Sequence, residues 1–357
     1  MDEAAQKKKP SRIMITTATF IIIVAGMSAA KTILVPFLLA AFISIISAPA
    51  LFWLQKKGLP KWLSFFIVIL LVLVVGLVIA GLVGTSIRDF SQDLPVYETK
   101  LRQQVTWALE RLERFGVDVS GLEATKVLNP GAAMSFVGTL LNGLGSVLTN
   151  GFLIFMTVIF MLMEAASLPA KLQAVLKKPQ FSLDQFSEFL INVKHYMAIK
   201  TWISLITGLL VFTCLTIIGV DYALLWGLLA FGLNYIPNIG SIISAVPAVL
   251  LSFIQLGPGT AAIVAVVYVV INVLMGSIVE PRFMGKGLGL STLVVFLSLL
   301  FWGWILGPIG MLLSVPLTIT VKMALGSREE TRWLTVLLGP AIVQDQKPDS
   351  KEAVSTK

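Results

Sequence analysis

Long runs of apolar residues, repeated from Ile13 to Leu325, are the feature that most constrains how this chain can fold. Several runs reach about 20 residues, the length that a helix needs to cross a bilayer core of about 30 Å. A soluble helix would carry a polar face at helical spacing, and most of these runs have none. Only 13% of the 357 residues are charged, against about 25% in soluble domains. The sequence therefore predicts an all-α protein that crosses a membrane several times.

Ten apolar segments are predicted as spans or parts of spans. They are Ile13–Ala30, Thr32–Leu54, Trp62–Gly84, Gly145–Met163, Ala198–Gly219, Tyr222–Ile236, Ile239–Leu256, Thr260–Val279, Leu288–Leu300 and Trp302–Leu325. The first follows a basic stretch, as in a signal peptide, but no convincing cleavage site comes after it. We expect it to be a retained helix.

Charge predicts the orientation of these segments. Basic residues precede the first segment and fill the loops after the second and the fourth, as in cytoplasmic loops. The stretch from Arg88 to Lys126 has no positive excess and is expected outside. Both termini are therefore expected on the cytoplasmic side of the membrane.

Two polar inserts divide the apolar segments. The spacing of apolar residues from Tyr97 to Phe115 predicts an amphipathic helix in the outer insert. The pattern of the inner insert predicts short amphipathic helices at the membrane surface. The predicted organisation is a scaffold of spans (1–84), an extracytoplasmic helical insert (85–144), a fourth span (145–166), cytoplasmic interfacial helices (167–197), a transport unit (198–325) and a polar cytoplasmic tail (326–357).

Two short apolar segments in the transport unit end in breaks rich in glycine and proline. The stretch after the first break, Ile239–Pro247, resembles the stretch after the second, Ile309–Pro316. One span lies between the two units, so the second would enter from the opposite face of the membrane. This pattern predicts an inverted pair of broken or re-entrant hairpins, and paired interruptions of this kind mark the solute site of many transporters.

Neutral polar residues and glycines at these breaks are the candidates for a solute pathway. The predicted set is Asn234, Tyr235, Pro237, Asn238, Gly240, Ser241, Asn272, Ser291, Thr292, Pro308, Gly310 and Ser314. Each polar residue alone could instead cap a helix or bond a neighbouring helix. For the cluster from Asn234 to Ser241 the sequence leaves both interpretations open.

Charged residues lie near the predicted ends of spans rather than at their middles. Glu280 and Arg282 flank Pro281, which is expected to stop the helix, and they could pair as a gate or fix the loop. Gly285 and Gly287 in the same loop are candidates for a hinge. Lys200 and Lys322 are expected to extend their amines to the membrane surface.

Signatures of enzymes are scarce. The chain has one histidine, His195, and one cysteine, Cys214, which excludes zinc sites built from these residue types. It has no phosphate-binding loop of the G-x-x-x-x-G-K-[ST] type. No catalytic residue, metal or cofactor is predicted. No nucleic-acid partner is expected either, because the basic residues gather at the ends of apolar runs.

Three motifs carry a family resemblance. They are Asn234–Ser241 (NYIPNIGS), Glu280–Ser291 (EPRFMGKGLGLS) and the stretch from Phe301 to Pro316. Together they resemble the autoinducer-2 exporter family of PerM-type permeases, and among its members most of all the exporter of autoinducer-2. The resemblance implies a homo-oligomer, expected to be a pentamer, in which each protomer has its own pathway. It also implies an elevator-like movement and, as solute, the furanone-type signal of bacterial quorum sensing.

The leading hypothesis is a secondary transporter that exports a small polar signalling molecule. The first alternative is a sodium/proton antiporter, as some relatives look to be, although no acid lies clearly at the middle of a span. The second alternative is a membrane scaffold that binds partners through the outer insert. An intramembrane enzyme ranks last.

Overall fold

The computed structural model describes residues 8–114, 137–139, 141–143, 145, 149–165, 171, 183–237, 239–284, 289–326 and 331–339. Within these ranges every regular element is a helix, which confirms the predicted all-α class. The helices are α1 (Lys8–Ala29), α2 (Lys31–Lys56), α3 (Lys61–Arg114), α4 (Gly151–Ala165), α5 (Leu183–Ile218), α6 (Ala223–Leu233), α7 (Ile239–Leu256), α8 (Pro258–Asn272), α9 (Glu280–Met284), α10 (Thr292–Leu306), α11 (Pro308–Leu312), α12 (Ser314–Gly326) and α13 (Arg332–Leu337), with a π-helical segment, Val273–Val279, between α8 and α9.

Each of the ten predicted apolar segments corresponds to an apolar helix. In the described part of the chain, five helices are long and apolar enough to cross a membrane, namely Lys31–Lys56, Lys61–Gln104, Val193–Ile218, Ile239–Leu256 and Pro258–Phe283. The other five are shorter. Large apolar side chains on the outer faces, such as Ile22, Leu71 and Val266, are more than half exposed. In a multi-pass membrane protein these faces contact lipid.

The third span continues without a break into the first part of the insert. Helix α3 extends for 54 residues to Arg114, about 80 Å at 1.5 Å per residue, so the helix predicted from Tyr97 onward is present as a continuation of the span. Phe90, Tyr97 and Leu101 are each at most 5% exposed, and their spacing of seven and four residues puts them on one face. Because that buried face continues along the helix beyond Gly84, nothing in the packing ends the helix there.

The inner insert also continues into a span. Helix α5 begins at Leu183 and ends at Ile218, so the part of the insert from Leu183 onward is not a set of short surface helices. The rest of the insert, apart from Lys171, lies outside the described residues.

The helical chain that begins with α8 continues past Pro281 and ends at Met284. Residues 273–279 are π-helical and lead directly into α9, so the prediction that Pro281 stops the helix is wrong. A proline lacks an N–H group and clashes with the carbonyl four residues earlier. The π-helical turns change the hydrogen-bond register just before the proline, and this lets the helix continue.

Among the described residues, three buried clusters hold the helices together. The largest joins the part of α3 from Val83 to Leu101 to α5, α6, α7 and α8 around Trp226, which is fully buried. The second joins α2, α4 and the first half of α5 to Tyr235 and to Val315 of α12. The third packs Val24 of α1 against Trp302 of α10. Helices before residue 198 and helices after it thus share their cores.

Candidate functional site

The two predicted breaks have the same local geometry. A methyl group built on Gly240 would lie 1.8 Å from the carbonyl oxygen of Leu233, and one on Gly310 would lie 2.0 Å from the carbonyl oxygen of Trp302. In both cases the helix after the break begins against the backbone of the helix before it. Only glycine allows this close approach, so the likeness between the two stretches of sequence has a structural counterpart.

A small cavity with polar side chains among its lining residues lies beside the first break. Helices α5, α6, α7 and α8 and the break residue Asn234 surround it, and its lining residues are Thr207, Val211, Ala230, Asn234, Ser241, Ser244, Tyr268, Ile271 and Asn272. The space open to the centre of a water molecule is about 10 Å³, which by that measure accommodates a single water. The cavity is therefore smaller than any sugar-sized solute in this conformation.

Three residues predicted for the solute pathway meet in this cavity. Asn234, Ser241 and Asn272 are separated by up to 38 positions in the sequence, yet all three line it. Asn234 is 9% exposed, and its Nδ2 donates to Oγ of Ser204 at 3.0 Å. This bond fixes the first break to α5.

Three further polar residues of the cavity were not predicted. Thr207 donates to the carbonyl of Ile203 at 2.8 Å, and Ser244 donates to the carbonyl of Ser241 at 2.9 Å. Tyr268 lies four residues before Asn272, on the same face of α8. That i, i+4 spacing could have indicated that Tyr268 lies beside the predicted Asn272. In the same way, the three-residue spacing from Ser241 could have indicated Ser244.

A close approach of two helices shapes one wall of the cavity. A methyl group on Gly208 of α5 would lie 2.8 Å from the carbonyl oxygen of Gly227 of α6, and one on Gly227 would lie 2.9 Å from the carbonyl oxygen of Gly208. The two backbones therefore touch next to Thr207. Small residues permit this kind of contact between membrane helices.

The other predicted pathway residues lie away from the cavity. Tyr235 donates to Oγ1 of Thr201 at 2.8 Å and packs edge-on against Phe42. Pro237 is half-buried in the turn. Asn238, Gly285 and Gly287 lie outside the described residues.

The residues of the second break have local structural roles. Ser291 caps α10 by accepting from the backbone N–H of Val294 at 3.2 Å, and Thr292 is the first residue of that helix. Pro308 opens α11. Ser314 is fully buried, and its hydroxyl has no hydrogen-bond partner among the described residues.

A buried ion pair joins α5 to the start of α9. Nζ of Lys200 donates to both carboxylate oxygens of Glu280 at 2.8 Å, and the Lys200 side chain is 4% exposed. The expectation that Lys200 extends to the membrane surface is therefore wrong, because burial makes pairing with Glu280 more favourable. Lys322 donates to the carbonyl of Gly289, and Arg282 is exposed.

At the outer end, a second polar cluster ties α3 to the turn between α5 and α6. Asp221 accepts from the hydroxyl of Tyr97 at 3.2 Å and from the side-chain amide of Gln255. Tyr222 donates to Asp93. Burial and the hydrogen bond to Asp93 raise the pKa of Tyr222 above its ordinary value, so its hydroxyl remains a donor.

The polar side chains that line the cavity are hydroxyls and amides. Its lining has no Asp, Glu, Lys, Arg or His side chain. Across the described ranges, no three His, Cys, Asp or Glu side chains lie close enough together to bind a metal ion. What the cavity offers a solute is a set of uncharged hydrogen-bonding groups within a membrane.

Comparisons with known proteins agree with a transport role. The family model described as AI-2E family transporter matches residues 17–329. The chain is 40% identical to the "AI-2 transport protein TqsA" of Escherichia coli (strain K12) over 92% of its own length and 95% of that protein. It is 36% identical to the "Putative transport protein YhhT" of the same strain, over 98% and 100% of the two chains.

A third relative comes from a different organism. The chain is 40% identical to a "Putative transport protein" of Haemophilus influenzae (strain ATCC 51907 / DSM 11121 / KW20 / Rd), over 92% of its own length and 96% of the relative. The family match and these three similarities extend over nearly the whole length, which confirms the resemblance seen in the motifs. This chain belongs to the AI-2E family of membrane transporters.

Proposed function

We propose that this protein is a secondary transporter that exports autoinducer-2 across the bacterial inner membrane. The observation that carries the proposal is the small cavity at the first break, where uncharged polar side chains of α5, α7 and α8 meet Asn234. Polar groups inside a membrane are costly and usually functional. A relative that is 40% identical bears the name of an autoinducer-2 transport protein, which supports the choice of solute.

The proposed orientation places both termini in the cytoplasm. Lys56, Lys57 and Lys61 lie at the facing ends of α2 and α3, as expected for a cytoplasmic loop. Trp53 and Trp62 beside them are exposed, and Nζ of Lys57 lies 4.8 Å above the ring of Trp53. Tryptophan and lysine together are typical of the membrane–water boundary.

The proposed movement is elevator-like. A transport unit of residues 198–325 moves against a scaffold formed by the earlier spans in a homo-oligomer, a pentamer by resemblance. The matching contacts of Gly240 and Gly310 support a pair of equivalent breaks in that unit. Because helices before and after residue 198 share buried clusters, this movement requires those clusters to repack.

No observation favours the alternative of a sodium/proton antiporter. The cavity lacks a carboxylate, and Glu280 is already paired with Lys200. We therefore expect any coupling ion to act elsewhere than in the cavity.

The test is flux of labelled autoinducer-2 in proteoliposomes of the purified protein, with and without imposed proton or sodium gradients. The proposal expects flux that depends on the protein and saturates with solute. The response to each gradient then identifies the coupling ion. Absence of flux, in vesicles where insertion and oligomer are verified, would contradict the proposal.

A further inference from the structure

Tyr268 has a buried hydroxyl that nothing in the described chain satisfies. The residue is 5% exposed and lines the cavity at the first break. Its hydroxyl has no hydrogen-bond partner among the described residues. Leaving such a group unpaired in a buried site costs free energy, so this position calls for a partner that arrives from elsewhere.

Two other buried tyrosines are satisfied within the chain. Tyr235 donates to Thr201 at 2.8 Å, and Tyr97 donates to Asp221 at 3.2 Å. Phenylalanine would occupy the same space at position 268 without an unpaired hydroxyl. The hydroxyl of Tyr268 is therefore unusual among the buried tyrosines named here, and it lies at the one cavity beside the first break.

The remaining cavity groups supply acceptors. The protons of Thr207 and Ser244 are already donated to backbone carbonyls, so towards a solute their hydroxyl oxygens can act as acceptors only. Asn272 adds an amide one turn after Tyr268. A solute with several hydroxyl groups can donate to these oxygens and accept from Tyr268.

The cavity offers nothing to balance a charge. No ionisable side chain other than the neutral tyrosine lines it, and a buried charge without a partner is strongly unfavourable. The negative charge of a phosphorylated or carboxylated solute would have no counter-charge there. The chemistry of the lining thus separates an uncharged polyol from an ionised one of similar size.

We infer that Tyr268 is a solute-contacting residue that donates a hydrogen bond to a hydroxyl oxygen, and that the cavity selects small uncharged polyols over anionic ones. The inference rests on the proposed function in taking this cavity as the solute site. It goes further in naming the class of solute and the residue that donates a hydrogen bond to it. The cavity must widen to admit the solute, since it now accommodates one water.

Equilibrium binding to the purified, membrane-inserted oligomer tests the inference without requiring transport. The probes are autoinducer-2, D-ribose as an uncharged five-carbon polyol and ribose 5-phosphate as its anionic counterpart. We expect the two uncharged probes to bind and the phosphate to bind at least tenfold more weakly. Tyr268→Phe should weaken binding of the uncharged probes about fivefold, the effect of one hydrogen bond, and should leave thermal stability unchanged or higher.

Tyr97→Phe is the matched control, because it removes a satisfied tyrosine hydroxyl outside the cavity. It should lower thermal stability and leave the dissociation constants unchanged. Unchanged binding of the uncharged probes by Tyr268→Phe would overturn the inference, because the hydroxyl would then be paired with water rather than with the solute. Equal binding of ribose and ribose 5-phosphate would also overturn it. If ribose binds through Tyr268 and autoinducer-2 does not, the inference stands and the proposed solute is wrong. If neither uncharged probe binds, the inference itself is wrong.

Discussion

Lys200 and Glu280, 80 residues apart in the sequence, form an ion pair that joins α5 to the end of the π-helical segment, with Nζ 2.8 Å from both carboxylate oxygens. Both helices then lead to the cavity, α5 through Ser204 and Thr207 and α8 through Asn272 and Tyr268. The pair therefore fixes the relative position of two walls of the cavity at one end.

Glu280→Gln should be strongly destabilising, because it leaves Lys200 buried without a counter-charge. We expect a loss of about 3–5 kcal/mol, measured as the free energy of unfolding of the purified protein. Glu98→Gln is the control, since Glu98 pairs with Arg102 on an exposed face of α3 and should cost about 1 kcal/mol or less. Equal losses for the two variants would show that the Lys200–Glu280 pair does not stabilise the fold.

Replacing both members of the buried pair gives a second test. The double variant Lys200→Met, Glu280→Leu should be more stable than either single variant, because no uncompensated charge remains in the protein. The measurement is a double-mutant cycle of unfolding free energies. Additive losses would contradict direct pairing in the folded protein.

Gly240→Ala and Gly310→Ala should each disrupt a break. The added methyl group would collide with a backbone carbonyl, which cannot move aside as a side chain could, so we expect a cost of about 3 kcal/mol or more. Thermal unfolding in detergent measures it. Gly232→Ala is the control, because nothing lies within 4 Å of a methyl group there, and alanine favours the helix by up to about 1 kcal/mol. A stable Gly240→Ala variant would contradict the close contact.

The orientation of α3 can be measured with single cysteines. In a Cys214→Ala background, Lys57→Cys should react only with reagents inside the cell and Gln103→Cys only with reagents outside. Both positions are exposed, and 46 residues of mostly helical chain, about 70 Å, separate them. Labelling of both from the same side would contradict the proposed topology.

Much of the fold could be predicted because lipid imposes a simple requirement. Apolar runs of adequate length must become helices, and all ten runs correspond to helices in the structure. The ends of the helices were harder to predict, since a helix ends where its packing against neighbouring helices ends. Phe90, Tyr97 and Leu101 continue one buried face beyond Gly84, and hydropathy alone does not show this.

The candidate site could be predicted only in part. Asn234, Ser241 and Asn272 were identified because polar residues beside a break are uncommon in apolar sequence. Thr207 was missed because it lies within an unbroken span, and only packing of α5 against α6 brings it to the break. The Lys200–Glu280 pair had a signal that was overlooked, since opposite charges within membrane segments tend to find each other.

The central claim is that the cavity at the first break binds the solute, and the most direct test is the initial rate of autoinducer-2 flux through Asn272→Ser and Asn234→Ser in proteoliposomes. Asn142→Ser, at an exposed position, is the control, and all variants are compared at equal amounts of inserted protein. For the two cavity variants we expect at least a tenfold lower ratio of maximal rate to half-saturating concentration, and for Asn142→Ser no change. Flux equal to that of the unaltered protein in both cavity variants would contradict the central claim.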